Sequence, residues 1–190
     1  MIVYIHGANA TGSSFNYLRD HLKYDDLVIE YDSNNGFMNN VNLISDRLKD
    51  IDEMFFIGHS LGGIYALHLS EIFADKILGA VTLSTPYNGA ECAEYAKHFW
   101  PRHRLFRDIG PSSEPIKRSK EISIPHPWTN VVSTSGSNPL IIYPNDGVVT
   151  INSMKCRNDM TLIEIPVNHY EVVLSPLSLE IIQGELNGLR

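Results

Sequence analysis

Gly58-His59-Ser60-Leu61-Gly62 is the stretch that decides the fold, a G-x-S-x-G sequence between an apolar run and a helix-forming run. Residues 54–57 have no polar alternation, which is typical of a strand buried on both faces of a parallel sheet, and residues 64–73 predict a buried helix. A sharp turn between them exposes the serine at the carboxyl edge of the sheet. An ordinary glycine-rich turn is the alternative, but the flanking elements favour Ser60 as a nucleophile, with the Leu61 N–H as one oxyanion donor.

The composition predicts one globular domain over residues 1–190. The chain is 43% hydrophobic and 19% charged, which is ordinary for a domain with a full core. No apolar run approaches the roughly 18 residues that a membrane span needs, and the N-terminus begins as a strand without a basic leader. We therefore expect a cytoplasmic protein without a transmembrane segment.

Charge and residue content argue against several kinds of partner. A net charge of -7 disfavours nucleic acid. The two cysteines, Cys92 and Cys156, are too few for a disulfide framework or a zinc site, so we expect free thiols. His98, His103 and His126 have the right side chain for a metal ligand but no ligand-like spacing, and no metal site is predicted.

Strand and helix patterns alternate along most of the chain. Strands separated by helices predict a mostly parallel sheet of about six strands, with right-handed crossovers and helices on both faces. The predicted strands are 2–5, 27–31, 54–57, 79–83, 130–134 and 161–165, and the predicted helices are about 14–22, 41–51, 64–73 and 177–186.

The loop after the first strand carries a second signal. An apolar strand that ends in His6-Gly7 leaves the next N–H free to face the serine turn, so the Ala8 N–H is the second oxyanion donor that we predict. His6 is interpreted as a structural residue that fixes this loop, because a general base needs direct reach to the nucleophile. His59 is expected to point away from the Ser60 side chain and to pack in the interior.

A serine hydroxyl is a weak nucleophile and needs a histidine and an orienting carboxylate. Asp146 lies in a turn-forming sequence after the fifth strand, and His169 follows the sixth strand directly. Both loops leave the same sheet edge as Ser60, and the order Ser, Asp, His is the one expected for this strand-turn-helix arrangement. We therefore predict a triad of Ser60, Asp146 and His169.

Other acids and histidines fit less well. Asp159 precedes a strand and should face the opposite edge, Glu164 lies within a strand, and Asp108 is in an irregular segment. An orienting acid could also stand after the fourth strand, but this chain has Asn88 there. The three histidines of the irregular segment have no strand to fix them.

With these motifs in place, the chain resembles the α/β-hydrolases of the lipase and esterase kind, and most of all the small bacterial lipases with a six-stranded sheet. The resemblance covers residues 1 to about 89 and about 131 to 190. It is carried by His6-Gly7, Ser14-Phe15-Asn16, the turn at 58–62, Thr85-Pro86, Asn88-Gly89, Asp146-Gly147 and Asn168-His169. It implies the same roles for Ser60, His169 and Asp146, and an oxyanion hole of the Ala8 and Leu61 amides.

The segment from Tyr87 to Trp128 departs from the smallest lipases, which lack it, and the chain also lacks the leading strands of larger members. We call residues 87–128 the insertion and predict a cap or lid of short helices, because its prolines exclude one long helix. It holds seven of the 15 Lys and Arg residues and five of the 22 acids. Phe99 and Trp100 are the predicted substrate-binding residues of this insertion. Contact with an anionic or acyl interface is one hypothesis, and a solvated cap surface is the other.

Together these patterns predict a cofactor-independent serine hydrolase that cleaves small-molecule carboxylic esters through an acyl-enzyme intermediate. A thioesterase or an acyltransferase could use the same triad, because fold and triad fix the chemistry but not the leaving group. A non-catalytic binding module with this fold is a further alternative. The sequence leaves the oligomeric state, the acyl length and the alcohol undetermined.

Overall fold

The structure is a computed structural model that describes residues 1–100 and 102–189, apart from the side chains of Tyr95 and Lys97. Pro101 and the Lys97 side chain, both assigned above to the insertion, lie outside the described residues.

A six-stranded parallel sheet forms the centre of the protein. Its strand order is β2-β1-β3-β4-β5-β6, and every neighbouring pair is parallel. This arrangement confirms the predicted fold class, because each crossover contains helical structure and the strands are almost entirely buried in the middle of the sheet. The strands are β1 Ile2–Ile5, β2 Asp26–Ile29, β3 Met54–His59, β4 Ile77–Leu83, β5 Trp128–Ser133 and β6 Thr161–Ile165.

Eight α-helices accompany the sheet in the described part of the chain. Those outside the insertion agree with the predicted ones apart from shifts at their ends and the short α7, which the sequence did not indicate. A 3₁₀ turn at Gly12–Phe15 leads from the loop after β1 into α1. The helices are α1 Asn16–Leu22, α2 Phe37–Leu48, α3 Leu61–Ile72, α4 Glu91–Phe99, α5 Arg104–Asp108, α6 Glu114–Glu121, α7 Ile151–Met154 and α8 Pro176–Gly188.

The core has one apolar layer on each face of the sheet. Helices α2 and α3 pack on one face, with Ile44 and Ile64 fully buried. Helices α1 and α8 cover the other face, where Leu18 and Ile182 are fully buried. Apolar faces on both sides explain why the strand sequences lack polar alternation.

The insertion packs beside α2 and α3. Leu105 and Ile116 are buried in the same apolar layer as those two helices. The buried His68 of α3 makes hydrogen bonds of 3.1 Å to the Pro115 carbonyl and 3.0 Å to the Ser119 hydroxyl, which ties α6 to the body. The described part of the insertion therefore contains three short helices, and α6 is fixed to α3.

Gly62 of the serine turn allows α3 to approach β1 closely. A Cβ atom on Gly62 would lie 1.9 Å from the carbonyl oxygen of Ile5, which is backbone and cannot rotate away. We predict that Gly62→Ala lowers the free energy of unfolding by about 3 kcal/mol or more, at the upper end of overpacking penalties. Urea unfolding followed by circular dichroism measures this change.

Gly184→Ala in α8 is the matched control, because nothing lies within 4 Å of a Cβ there. It should stabilise the protein by roughly 0.5–1 kcal/mol through helix propensity. Equal stabilities for the two variants would show that the turn tolerates a side chain.

Candidate active site

The sheet topology places a crevice between β1 and β3. The chain leads from β1 to β2 on one side and from β3 to β4 on the other, so the connections after β1 and β3 leave in opposite directions. Ligands of open α/β sheets bind at such a switch point, outside the carboxyl ends of the strands. A cavity of about 330 Å³ is found there. Its lining residues are Gly7, Ala8, Ala10, Ser13, Ser14, His59, Ser60, Val148, His169, Tyr170, Val173 and Leu174.

Ser60 occupies a strained turn at the floor of this cavity. Its φ of 52° and ψ of −119° are unusual for a residue with a side chain, and its N–H donates to the Leu83 carbonyl at 2.8 Å. A Cβ on Gly58 would lie 2.7 Å from Gly63, so strand and helix are in close contact. Leu61 is the first residue of α3, and N–H groups in the first turn of a helix have no partner within the helix.

Asp146 is buried, and both of its carboxylate oxygens accept hydrogen bonds. Oδ1 accepts the N–H groups of Val148 and Val149 at 3.0 and 2.9 Å. Oδ2 accepts the Ser133 hydroxyl at 2.6 Å and pairs with Nδ1 of His169 at 2.7 Å. Four donors around one carboxylate favour its ionised form.

The electrostatic balance at Asp146 follows from these contacts. Burial alone raises the pKa of Asp146, but the hydrogen bond and charge of His169, the Ser133 hydroxyl and the Val149 amide outweigh it and lower the pKa below its ordinary value. The carboxylate is therefore charged at neutral pH.

His169 is fixed through its ring and its main chain. Its N–H donates to the Asp146 carbonyl at 3.0 Å, and its own carbonyl lies 2.9 Å from Nε2 of His59. Since Nδ1 donates to the Asp146 carboxylate, Nε2 of the neutral ring is the acceptor. His169 and Ser60 line the same cavity, so the structure brings together all three residues of the predicted triad.

His59 has a larger part in the site than the sequence indicated. It is packed in the interior, as expected, but its Nε2 reaches the loop of His169, and the two rings are 5.0 Å apart. Burial, and secondarily the neighbouring His169, lower the pKa of His59 to about 3. The ring is therefore neutral and donates from Nε2 to the carbonyl. The two histidines are 110 positions apart, so no local pattern could have revealed the contact.

The loop that carries Ala8 is held by two residues that directly follow β2. The His6 ring stacks on Tyr31 with centroids 4.2 Å apart, and the Tyr31 hydroxyl donates to the His6 carbonyl at 2.6 Å. Glu30 accepts the Gly12 N–H at 2.7 Å and lies 3.4 Å from Nε2 of His6. His6 thus has the structural surroundings that its position predicts, and Ala8 lines the cavity beside Ser60.

The rival acids are engaged elsewhere. Asp108 accepts the Phe37 N–H at 2.8 Å, Asp159 pairs with Arg157, and Glu164 pairs with Lys155. Among residues 1–100 and 102–189, no three His, Cys, Asp or Glu side chains are grouped so that they could hold a metal ion. In the same part of the chain, no helix has the length and apolar character to cross a membrane.

Phe99 and Trp100 do not line this cavity, and their role in substrate binding stays a prediction. Their side chains are 78% and 60% exposed, and they line a separate cavity with Asn34, Arg102 and His103. None of the described residues of the insertion lines the cavity at Ser60. The insertion packs against α2 and α3, and its Ala90 and Ala93 pack with Val132, Val149 and Met154. Its contact with an interface stays a prediction.

Burial of neutral histidines predicts how stability depends on pH. Burial lowers the pKa of His59 to about 3 and also lowers the pKa of His68. As the pH falls, the unfolded chain therefore binds protons at these histidines before the folded protein does. The free energy of unfolding should therefore fall as the pH drops below about 6.5, by up to about 1.4 kcal/mol per pH unit from His59. Urea unfolding at pH 7, 6 and 5 measures this slope.

The variant His59→Gln keeps a side-chain hydrogen-bond donor but has no group that titrates in this range. The dependence of its free energy of unfolding on pH should therefore lack the contribution of His59, up to about 1.4 kcal/mol per pH unit. Equal slopes for wild type and His59→Gln would contradict the neutral, buried state of His59.

Solved structures share this architecture. A lipase of Bacillus licheniformis in its mature form superposes with a TM-score of 0.73 at 16% identity, over 97% of this chain and 91% of the lipase. A monoacylglycerol lipase of Paleococcus ferrophilus gives 0.70 at 16% identity, over 99% and 93% of the two chains. A metagenomic carboxyl esterase gives 0.76 at 14% identity, over 98% and 75%. No family model and no curated protein sequence matches the chain. The sheet order, the strained serine turn and these superpositions together identify its fold as that of the α/β-hydrolases.

Proposed function

We propose that this protein is a serine hydrolase that cleaves carboxylic esters through an acyl-enzyme intermediate. The observation that carries the proposal is the buried Asp146–His169 pair, whose imidazole lines the same cavity as Ser60. An ionised carboxylate that fixes the tautomer of a histidine beside a strained serine is the arrangement that activates a hydroxyl. The fold alone would not support this reaction, because one fold hosts many functions.

In the first half-reaction, the Ser60 oxygen attacks the ester carbonyl and Nε2 of His169 takes the hydroxyl proton. The negative charge that develops on the carbonyl oxygen is held by the N–H groups of Ala8 and Leu61. His169 then gives its proton to the leaving alcohol, and the acyl group stays on Ser60. Water repeats the sequence, which releases the carboxylic acid and restores the serine. Asp146 stabilises the imidazolium that forms in each half.

The three residues should act as a unit. Ser60→Ala removes the covalent route and should lower kcat by about 10³-fold or more, and Asp146→Asn should cost orders of magnitude because it favours the wrong tautomer of His169. Hydrolysis of p-nitrophenyl esters and labelling by a small fluorophosphonate probe measure both effects. His126→Ala is the control and should leave the chemistry nearly intact.

Two results would contradict the assignment. One is labelling that persists in His169→Ala but is lost in folded His126→Ala, and the other is a wild-type protein that no fluorophosphonate labels. The second result would favour the non-catalytic binding module. Parallel assays with thioesters and with alcohol acceptors distinguish the ester hydrolase from a thioesterase or an acyltransferase.

The size and lining of the cavity favour short acyl groups. About 330 Å³ is near the lower end of ligand pockets, which span roughly 300–1,000 Å³. Val148, Val173 and Leu174 supply apolar walls that suit an acyl chain. We therefore propose esters of short-chain acids as the substrate class.

The ester series tests this cavity directly. Activity should be highest for short acyl chains, and each methylene beyond the fitting length should lower kcat/KM about 10-fold or more, because apolar pockets discriminate by roughly 1–3 kcal/mol per methylene. Val173→Ala should move the optimum towards longer chains, while Phe99→Ala should leave it in place. An optimum that moves with Phe99 and not with Val173 would mean that the insertion holds the acyl chain.

A further inference from the structure

Two buried serines extend the hydrogen bonds of the Asp146–His169 pair. Ser84 directly follows β4 and Ser133 ends β5, and both are fully buried. Their hydroxyl oxygens are 2.6 Å apart, and Ser133 Oγ is 2.6 Å from Oδ2 of Asp146. Because Oδ2 is also the oxygen that pairs with His169, a continuous chain of hydrogen bonds leads from Ser84 to the imidazole.

The direction of every proton in this chain is determined. An ionised carboxylate has no proton to give, so the Ser133 hydroxyl donates to Asp146. Ser133 has only one proton, and its distance of 3.7 Å to the sulfur of Met154 is far longer than its 2.6 Å contact with Asp146. The short contact with Ser84 therefore requires Ser84 to be the donor and Ser133 the acceptor.

The backbone of Ser84 is strained in a way that supports this contact. Its φ is 52°, in the left-handed region that residues with side chains seldom adopt, and its N–H donates to the Val131 carbonyl at 2.8 Å. Strain of this kind persists only where the surroundings impose it, often at active sites. In this conformation the Ser84 hydroxyl lies within hydrogen-bond distance of the Ser133 hydroxyl.

We propose that Ser133, polarised by the Ser84 hydroxyl, is a positioning residue that holds the Asp146 carboxylate ionised and aligned on His169. This inference rests on the proposed function. A donor that itself accepts a hydrogen bond donates more strongly, because neighbouring hydrogen bonds in a low-dielectric interior polarise one another. Ser133 thus fixes the oxygen of Asp146 that orients the imidazole, and neither serine contacts the substrate.

A carboxylate that loses this donor becomes more basic and less well aligned. In Ser133→Ala, Oδ2 keeps only the imidazole as a partner, so the catalytic pair binds a proton more tightly. The acid limb of the pH–rate profile should therefore move to higher pH, and the rate on its plateau should fall about 10-fold, which is the expected scale for one lost hydrogen bond to a charged group. KM for a short ester should change little.

The rate of Ser60 labelling by a small fluorophosphonate, measured from pH 5 to 9, is the readout for the variants. It reports activation of the serine without requiring that the natural ester be known. Ser133→Thr restores a hydroxyl and should recover most of the rate. Ser178→Ala is the matched control, because its hydroxyl is equally buried and far along the chain in α8, and it should leave the profile in place.

Ser84→Gly separates positioning from stability. Glycine adopts a φ of 52° without strain, so this variant should be at least as stable as wild type, yet its labelling should be about 3-fold slower because Ser133 loses its polarising partner. The double variant Ser84→Gly/Ser133→Ala should be no slower than Ser133→Ala alone, since Ser84 acts only through Ser133.

The outcomes distinguish this inference from the proposed function. If wild type is not labelled at all, the proposed function fails. If wild type is labelled but Ser133→Ala keeps both the rate and the acid limb of wild type, the positioning role is wrong. Additive effects of the two serine changes, or a Ser84→Gly rate equal to wild type, would likewise overturn the connection through Ser133.

Discussion

The close approach of the first turn of α3 to β1 is the constraint on which the rest of the site depends. Gly62 lies so near the Ile5 carbonyl that no side chain fits between them. This contact brings the start of α3, with Leu61, alongside the loop after β1, with Ala8. The two predicted oxyanion donors, which come from distant parts of the sequence, are thus carried by neighbouring segments of the structure.

The sequence predicts those features that local patterns determine. Strand β6 has the same bounds in sequence and structure, because a short run rich in apolar residues lies between two turn-forming segments. The pairing of Asp146 with His169 was predictable because parallel strands send their following loops to one edge. The exposed surroundings of Phe99 and Trp100 were not predictable, because the insertion is held by hydrogen bonds to α2 and α3 between residues 47 to 71 positions apart.

The residues that support the site, Ser133 and His59, could not be predicted from the sequence for a related reason. A serine at the end of a strand, such as Ser133, resembles any polar residue that precedes a loop. Its role depends on which strand lies beside it and on the turn that returns Asp146 to the same place. His59 illustrates the same limit, since its neighbour Ser60 is obvious in the sequence but its contact with His169 depends on the complete sheet.

Strain and hydrogen bonding are coupled at the carboxyl edge of the sheet. Ser60 and Ser84 both have φ of 52°, and they follow the neighbouring strands β3 and β4. The Ser60 N–H donates to the Leu83 carbonyl, one residue before Ser84, so the two unusual turns share a backbone connection. One turn places Ser60 at the cavity, and the other places the Ser84 hydroxyl next to Ser133, which donates to Asp146. All of these groups belong to the sheet and its loops, and the insertion adjoins them, because its Ala90 and Ala93 belong to the same apolar cluster as Val149, whose N–H donates to Asp146.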